Sequence, residues 1–342
     1  MIPTLSVNRL LNSVAYKILP KTEVLPYRPI TLNALITLRC NLVCPICPIA
    51  HIHELNLSYK IAKDMTFKDF HTITNRFRKH AMFVIFSGGE PLLNRELFRM
   101  ARFASSKRLF TDLTTNGLLI GEHIQEILQC MNSINLSFNA VDAREYQIMH
   151  SAPPGLLEVL VNNTAKLVEM RSRLKRRLKI ALSYVCTKSN FKSIPDFIEL
   201  AESLGVDEVN FRTLASFGLP GFSENQCVYR DDEEVAEIIH NIRAPRRRMK
   251  IWLPKLYERA TTERACKMPF SFLTVDGDGN VFPCCIFPSS GGYENIFRSE
   301  QIWNSRIFVD LRKRLMDKSL PLPERCLRCG NRFQKRKIIS NG

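Results

Sequence analysis

Between Thr31 and Phe211 the chain alternates six short runs rich in β-branched and aliphatic residues with five longer runs of helical spacing. The strand-like runs are Thr31–Leu38, Met82–Phe86, Leu109–Thr114, Ser133–Phe138, Lys179–Tyr184 and Glu208–Phe211. The helical runs between them are Phe67–Lys79, Arg95–Ser105, Gly121–Leu128, Gly155–Arg173 and Ser193–Leu204. Strands joined through helices must run parallel, so the pattern predicts an α/β fold with a parallel sheet, open or curled into a partial barrel. Reactive groups are expected at the C-terminal ends of the strands. With 342 residues, 45% of them hydrophobic, the chain suffices for one large domain and a smaller one.

Two flanking segments break the repeat. Residues 1–28 predict an amphipathic helix, with Val7, Leu10, Leu11, Val14, Ala15, Ile18 and Leu19 on one face and Pro20 as its stop. Docking on the main domain and lying on a membrane surface are both compatible with it. Beyond residue 250 turns dominate, around Asp276-Gly277-Asp278-Gly279 and Gly291-Gly292. Hairpin-like strands at Phe272–Val275 and Val281–Phe282 precede a helix over Ser299–Leu315. The expected division is therefore 1–28, 29–250 and 251–342.

Forty-nine Lys and Arg against 33 Asp and Glu leave a net charge of +16, with basic runs at Arg171–Lys179, Arg243–Lys250 and Lys335–Lys337. Such a balance favours anionic substrates, polyanions or acidic lipid surfaces, although solvated helix faces explain it equally simply. The basic runs lack interleaved aromatic residues, so nucleic-acid binding is not expected. No run of eighteen apolar residues is present and no signal sequence is visible, so a cytoplasmic chain is expected.

In that compartment eleven cysteines point to metal rather than to disulfides. Cys40, Cys44 and Cys47 form Cys-x3-Cys-x2-Cys just past the first strand. Three thiolates leave one coordination position open, unlike a closed structural zinc site. A zinc loop completed by His51 or His53 is the plain alternative. A Gly-Gly turn, Ser87-Gly88-Gly89-Glu90-Pro91, follows the second strand, and Thr114-Thr115-Asn116-Gly117 ends the third. Ser137 lies at the end of the fourth strand and Arg212 just beyond the sixth.

Together these motifs resemble the radical S-adenosylmethionine superfamily. The resemblance implies a partial (β/α)6 TIM-type barrel in which Cys40, Cys44 and Cys47 ligate three irons of a [4Fe–4S] cluster. S-adenosylmethionine would chelate the fourth iron through its amino and carboxylate groups. Gly88, Gly89, Glu90 and Pro91 match the family's Gly-Gly-Glu-Pro motif, which binds the methionine amine. Asn116, Ser137 and Arg212 would complete the cofactor contacts. Ile46 stands where many members carry an aromatic residue, and Asn139-Ala140 replaces the usual Asp-Gly.

A second constellation, Cys266, Cys284, Cys326 and Cys329, has enough thiolates for a closed [4Fe–4S] site, with Gly279 permitting the hairpin turn before Cys284. It resembles the C-terminal SPASM/twitch iron–sulfur domain of the same superfamily and implies one auxiliary cluster. A four-cysteine zinc site is the alternative, and Cys285 competes with Cys284 as ligand. Cys130 and Cys186, in apolar surroundings, read as core thiols.

The resemblance implies reductive cleavage of S-adenosylmethionine to a 5′-deoxyadenosyl radical, hydrogen abstraction from a substrate C–H bond, and net oxidation or cross-linking aided by the auxiliary cluster. Substrates of such enzymes include peptides and small molecules, and a flavodoxin- or ferredoxin-type donor supplies the electron. The competing reading is a non-catalytic zinc or iron–sulfur protein that binds nucleic acid.

Overall fold

The computed structural model describes residues 6–51, 63–216, 223–242, 249–258, 264–284, 294–327, 329 and 338–340. His53, Cys285, Gly291-Gly292, residues 243–248 of one basic run and Lys335–Lys337 lie outside the described residues.

Eleven strands form one sheet: β1 Thr31–Thr37, β2 Phe83–Gly88, β3 Phe110–Thr115, β4 Ser133–Ser137, β5 Lys179–Cys186, β6 Glu208–Thr213, β7 Lys250–Trp252, β8 Phe272–Val275, β9 Asn280–Phe282, β10 Glu294–Asn295 and β11 Ile338–Ser340. The helices are α1 Val7–Ile18, α2 Phe67–Phe77, α3 Leu97–Ser106, α4 Ile120–Cys130, α5 Ala143–His150, α6 Leu156–Arg173, α7 Ile194–Leu204, α8 Glu233–Asn241, α9 Met268–Ser271, α10 Arg306–Met316 and α11 Glu324–Leu327.

The strand order is β10-β9-β8-β1-β2-β3-β4-β5-β6-β7-β11, an open sheet rather than a closed barrel. From β1 to β7 each strand pairs in parallel with the next one in sequence. Right-handed crossovers repeated in one direction put the helices that connect β1 to β7 on the same face. Burial alternates to match: Val84, Phe86, Leu113, Ile134, Leu136, Leu182, Tyr184, Val209 and Phe211 are buried. Ser87, Asp112, Thr114, Asn135, Ser137, Asn210 and Arg212, on the other face, are not. The sheet is therefore apolar where helices cover it and largely polar where they do not.

The six expected strands are all present, each shifted by no more than three residues at either end. Among the described residues seven elements were not legible in the sequence pattern: α5, α8, α9, α11, β7, β10 and β11. The expected helix over Ser299–Leu315 begins only at Arg306, because residues 299–304 turn to place Trp303 in the core and to exchange hydrogen bonds between Asn304 and Leu25. The expected hairpin is β8–β9, antiparallel. β8 also pairs with β1 in parallel, so the C-terminal segment extends the sheet directly from the strand that leads to Cys40.

The N-terminal helix docks on the main body with its polar side inward. Arg9 and Asn12 are its buried residues, whereas Val7, Leu10, Leu11, Val14 and Ile18 are 40–73% exposed. Arg9 donates to the carbonyls of Arg78, Lys107 and Arg108, which follow the C-terminal ends of α2 and α3. Carbonyls at helix ends lack intrahelical partners and carry the negative end of the dipole, so one guanidinium satisfies two ends at once. Asn12 bonds the backbone N–H and carbonyl of Arg28 and the carbonyl of His80.

A second buried cation ties the C-terminal segment down. Arg312 is wholly buried and donates to the carbonyls of Pro269, Glu23 and Trp303 and to the Asn304 side chain. Its guanidinium also lies over the Trp303 ring. Burial pushes its pKa down to about 10, so it is still charged at neutral pH. Replacing Arg312→Met leaves several buried acceptors unpaired and is expected to cost about 3 kcal/mol or more, read as a lowered melting temperature.

Candidate active site

The three N-terminal cysteines sit in the loop that leaves β1, at the C-terminal edge of the sheet. Within the loop the Cys47 N–H donates to the Cys44 carbonyl at 3.0 Å and the Ala50 N–H to the Cys47 carbonyl at 3.2 Å, giving two consecutive turns. Cys40 is the most open of the three. The backbone N–H of Leu42 points at its sulfur from 3.4 Å, favouring the thiolate.

Loss of water raises the pKa of all three thiols, and ionised Cys47 would raise both Cys40 and Cys44 further. Three sulfurs within electrostatic reach of one another cannot all ionise without a cation among them. Among the described residues no three His, Cys, Asp or Glu side chains converge tightly enough to hold a single metal ion. Around one zinc the sulfurs would be about 3.8 Å apart, whereas separate irons of a cluster hold them further apart. The donor set, three soft thiols with one exposed, fits an iron–sulfur cluster with one accessible iron.

The Gly-Gly turn serves the same loop from β2. A Cβ on Gly88 would stand 2.1 Å from the Thr37 carbonyl oxygen, and one on Gly89 2.2 Å from that of Arg39. Only glycine allows this approach, and at φ +130° Gly88 also has a backbone that other residues avoid. The Gly89 and Glu90 N–H groups donate to the Thr37 and Arg39 carbonyls at 2.8 and 2.7 Å. The backbone just before Cys40 is thereby fastened to the end of β2.

Glu90 is fully buried. Its carboxylate accepts from the Leu92 N–H at 3.0 Å, the Thr115 hydroxyl at 2.7 Å and the Asn116 N–H at 2.8 Å. Burial pushes its pKa up and these three donors oppose the shift. Asn116 in turn donates to the Asn41 side chain at 2.7 Å and lies 3.9 Å from the Cys40 sulfur. Pro91 opens a single 3-10 turn, Pro91–Leu93. Glu90 and Asn116 thus share one hydrogen-bonded chain that reaches the cysteine loop.

Ser137, half-buried, is in register with Ser183 of β5 on the open face. Asn139 adopts φ +56°, a conformation Asn tolerates, which explains why it can stand where the family pattern has another polar residue. Its side chain accepts from the Val185 N–H at 2.9 Å. Arg212 is exposed on β6 and close enough to Asp112 to lower that group's pKa. Ile46 packs beside a small apolar cluster of Met149, Leu214, Cys227 and Tyr257.

Several residues escaped sequence reasoning. His150, at the end of α5, lies 3.2 Å from the Cys44 sulfur through Nδ1 and 2.9 Å from the Phe138 carbonyl through Nε2. A carbonyl only accepts, so Nε2 carries the proton and Nδ1 faces the thiol. Burial brings its pKa down to about 4, and Tyr146 stacks on its ring. Cys227 is buried against Tyr257, whose hydroxyl donates to the Leu214 carbonyl at 2.6 Å, and Cys329 lies close enough to raise the Tyr257 pKa. Asp112 lies on the open face with Oδ1 buried and unpartnered, and loss of water pushes its pKa up to about 6 despite Lys179 and Arg212. Nothing in local sequence marks these three, because each is defined by contacts across the sheet.

Of the second set, Cys266, Cys284, Cys326 and Cys329 are all partly buried. Cys266 and Cys326 pack against the main core. The Cys329 N–H donates to the Cys326 carbonyl at 3.4 Å, a turn that brings the pair together. Cys130 and Cys186 are buried thiols of the core, as expected.

Residues 35–228 match the family model of the radical SAM superfamily, and residues 266–330 match that of an iron–sulfur cluster-binding domain, SPASM. The chain belongs to the radical SAM superfamily, and it is a radical SAM enzyme with a SPASM domain. These domains imply a SAM-binding [4Fe–4S] cluster, S-adenosylmethionine and auxiliary iron–sulfur. The chain is 24% identical over 288 residues to the PqqA peptide cyclase of Granulibacter bethesdensis, covering 81% of this chain and 72% of that protein. It is 27% identical over 289 residues to the tungsten-containing aldehyde ferredoxin oxidoreductase cofactor-modifying protein of Pyrococcus furiosus, covering 82% and 77%. In fold it is similar to Streptococcus suis SuiB bound to S-adenosylmethionine, with a TM-score of 0.66 at 16% identity over 89% of this chain and 71% of that one. No described helix is long and apolar enough to cross a membrane.

Two measurements test the site. Gly89→Ala is expected to displace the Cys40 loop, so the iron bound by that site should fall at least severalfold while the helical signal persists. Asp112 has a raised pKa in the fold, so its penalty is absent well below about pH 4, builds up between about 4 and 6, and is constant above that. Asp112→Asn should therefore leave stability unchanged well below about pH 4 and raise it by up to about 3 kcal/mol above pH 7, measured by denaturant unfolding.

Proposed function

We propose that this radical SAM enzyme is an oxidoreductase that modifies a peptide, by oxidation or by cross-linking. The carrying observation is the position of the cysteine loop: it hangs at the C-terminal edge of β1, above the one sheet face that helices leave uncovered and that is largely polar. A largely polar face beside a radical source suits a hydrogen-bonding substrate. Peptides are favoured because relatives and structural neighbours include a PqqA peptide cyclase and SuiB bound to the precursor peptide SuiA.

In this reading residues 29–250 form the catalytic unit, 251–342 carry the auxiliary centre, and 1–28 are an appended helix. Cys40, Cys44 and Cys47 hold the cluster that binds S-adenosylmethionine. When bound, cluster and cofactor together supply a radical able to take hydrogen from an unactivated C–H bond. Gly88 and Gly89 bring the β2 backbone against the loop, where their carbonyls can accept from the methionine amine. Glu90 holds that turn to Asn116, and Pro91 directs the chain away. Ser137 and Arg212 line the open face where the nucleoside and carboxylate ends of the cofactor would lie. His150 buttresses Cys44 from behind. Arg212 and Asp112, one cationic and one with a spare oxygen, can orient amide and charged groups of the substrate.

Cys266, Cys284, Cys326 and Cys329 hold a single auxiliary [4Fe–4S] cluster, which with four protein ligands is suited to accept an electron from the substrate radical. A small one-electron donor of flavodoxin or ferredoxin type completes the cycle.

Anaerobic reconstitution tests this. About eight irons per chain and dithionite-dependent release of 5′-deoxyadenosine are expected. Replacing Cys40, Cys44 and Cys47 with Ala should abolish release. Replacing Cys326 and Cys329 should retain some release but remove the modified product. Two zincs per chain and no cleavage would refute the enzyme reading. Deuterium transfer from a labelled small molecule, with none from any peptide encoded beside the gene, would refute the peptide assignment alone.

A further inference from the structure

The N-terminal helix α1 is built backwards for a docking helix. Its fully buried residues, Arg9 and Asn12, are polar, only Ala15, Tyr16 and Leu19 pack partly against the core, and the stripe Val7, Leu10, Leu11, Val14 and Ile18, at spacings of three, four and seven, faces outward. Over 12 residues this is an apolar strip about 18 Å long. Helices normally bury such a stripe and solvate the other side. Here Arg9 and Asn12 fix the opposite orientation through bonds to five backbone groups of the main body, so the exposure is specified rather than a consequence of loose packing.

The turns on which α1 is seated are rich in cationic residues. Its anchors are carbonyls of Arg28, Arg78, His80, Lys107 and Arg108, residues of the turns that precede β1, β2 and β3. Arg78 and Arg108 lie close enough to depress the Arg9 pKa, and Arg28 and Lys79 depress that of His80. Lys17 and Lys21 add to the helix end, and Glu23 is the one acidic residue between Ser6 and Arg28. An aliphatic strip on a helix that ends in Lys and is seated on Arg- and Lys-rich turns matches a layer whose interior is hydrocarbon and whose surface is negative. A second copy of the same face would set these cations against one another. Nucleic acid would engage the cations but would not cover a continuous aliphatic strip of this length.

We propose that α1 is a membrane-surface anchor that seats the enzyme on anionic lipid. The anchored turns lie at the N-terminal ends of the strands and the cysteine loop at the C-terminal end, so the active site faces away from the bilayer and stays accessible. This does not depend on the substrate assignment.

The test is flotation of the full reconstituted chain, kept anaerobic, with vesicles of phosphatidylcholine alone or of equimolar phosphatidylcholine and phosphatidylglycerol. Binding is expected to the anionic vesicles, weakening with salt. L10E/L11E should reduce it about tenfold or more. L10I/L11I should retain it, and all forms should keep the wild-type melting temperature and dithionite-dependent S-adenosylmethionine cleavage. V7S/I18S, at the exposed ends of the strip, provides a second loss-of-binding variant should the glutamates unfold the chain. Absence of flotation with anionic vesicles, or flotation equal in all variants, overturns the proposal. So does a dimer in sedimentation that the same substitutions dissociate while vesicles recruit nothing.

Discussion

The site depends on a carboxylate that water never reaches. Glu90, fully buried, survives as an acceptor only because the Leu92 N–H, the Thr115 hydroxyl and the Asn116 N–H all converge on it. Removing any one donor leaves a buried charge short of partners, so the end of β2, the 3-10 turn and the end of β3 are held as a unit. Asn116 passes that rigidity to Asn41, beside Cys40. The glycines do the complementary work by letting β2 come within hydrogen-bonding distance of the backbone that leads into the cysteine loop. A loop that must present three sulfurs to a cluster is thus held from below by β1, from the side by β2 and through a relay by β3.

The sheet topology explains why such a loop faces open space. Sequential parallel pairing leaves helices on one face, and the other face keeps Asp112, Asn135, Ser183 and Asn210 in polar rows. Apolar side chains there would have been expected had a second layer covered it. The C-terminal segment joins this sheet through β8 on β1, one strand away from the cysteine loop's own support. The C-terminal segment is thus held on a shared, stiff element, and Arg312 reinforces it by bonding carbonyls from residues 23, 269 and 303.

Much of this was legible in the linear chain, and particular residues show why. Runs such as Ser133–Phe138 are strand-like and lie between helix-period segments, so their existence and parallel sense followed from local pattern alone. Cys40, Cys44 and Cys47 are close in sequence, and their spacing carries their chemistry. Helix α1 was equally clear as a helix, yet its orientation was not. Periodicity identifies an apolar stripe but not the tertiary partners of the opposite side, and the carbonyls that capture Arg9 belong to turns 69 and 99 residues away. Arg171, read as part of a basic run, proves to be bonded to Asp207, Leu178 and Gly205 around the start of β5. A charge run does not reveal which of its members are structural.

The sequence by itself determined the class of fold and the superfamily, because strand–helix period and motif spacing are short-range properties. Tertiary structure decided the rest. It put His150 behind Cys44, left Asp112 with an unsatisfied oxygen on the open face, committed Glu90 to three internal donors, and turned the apolar side of α1 outward. Each of these is a contact between groups far apart in the chain, set by how the sheet brings its strand ends together.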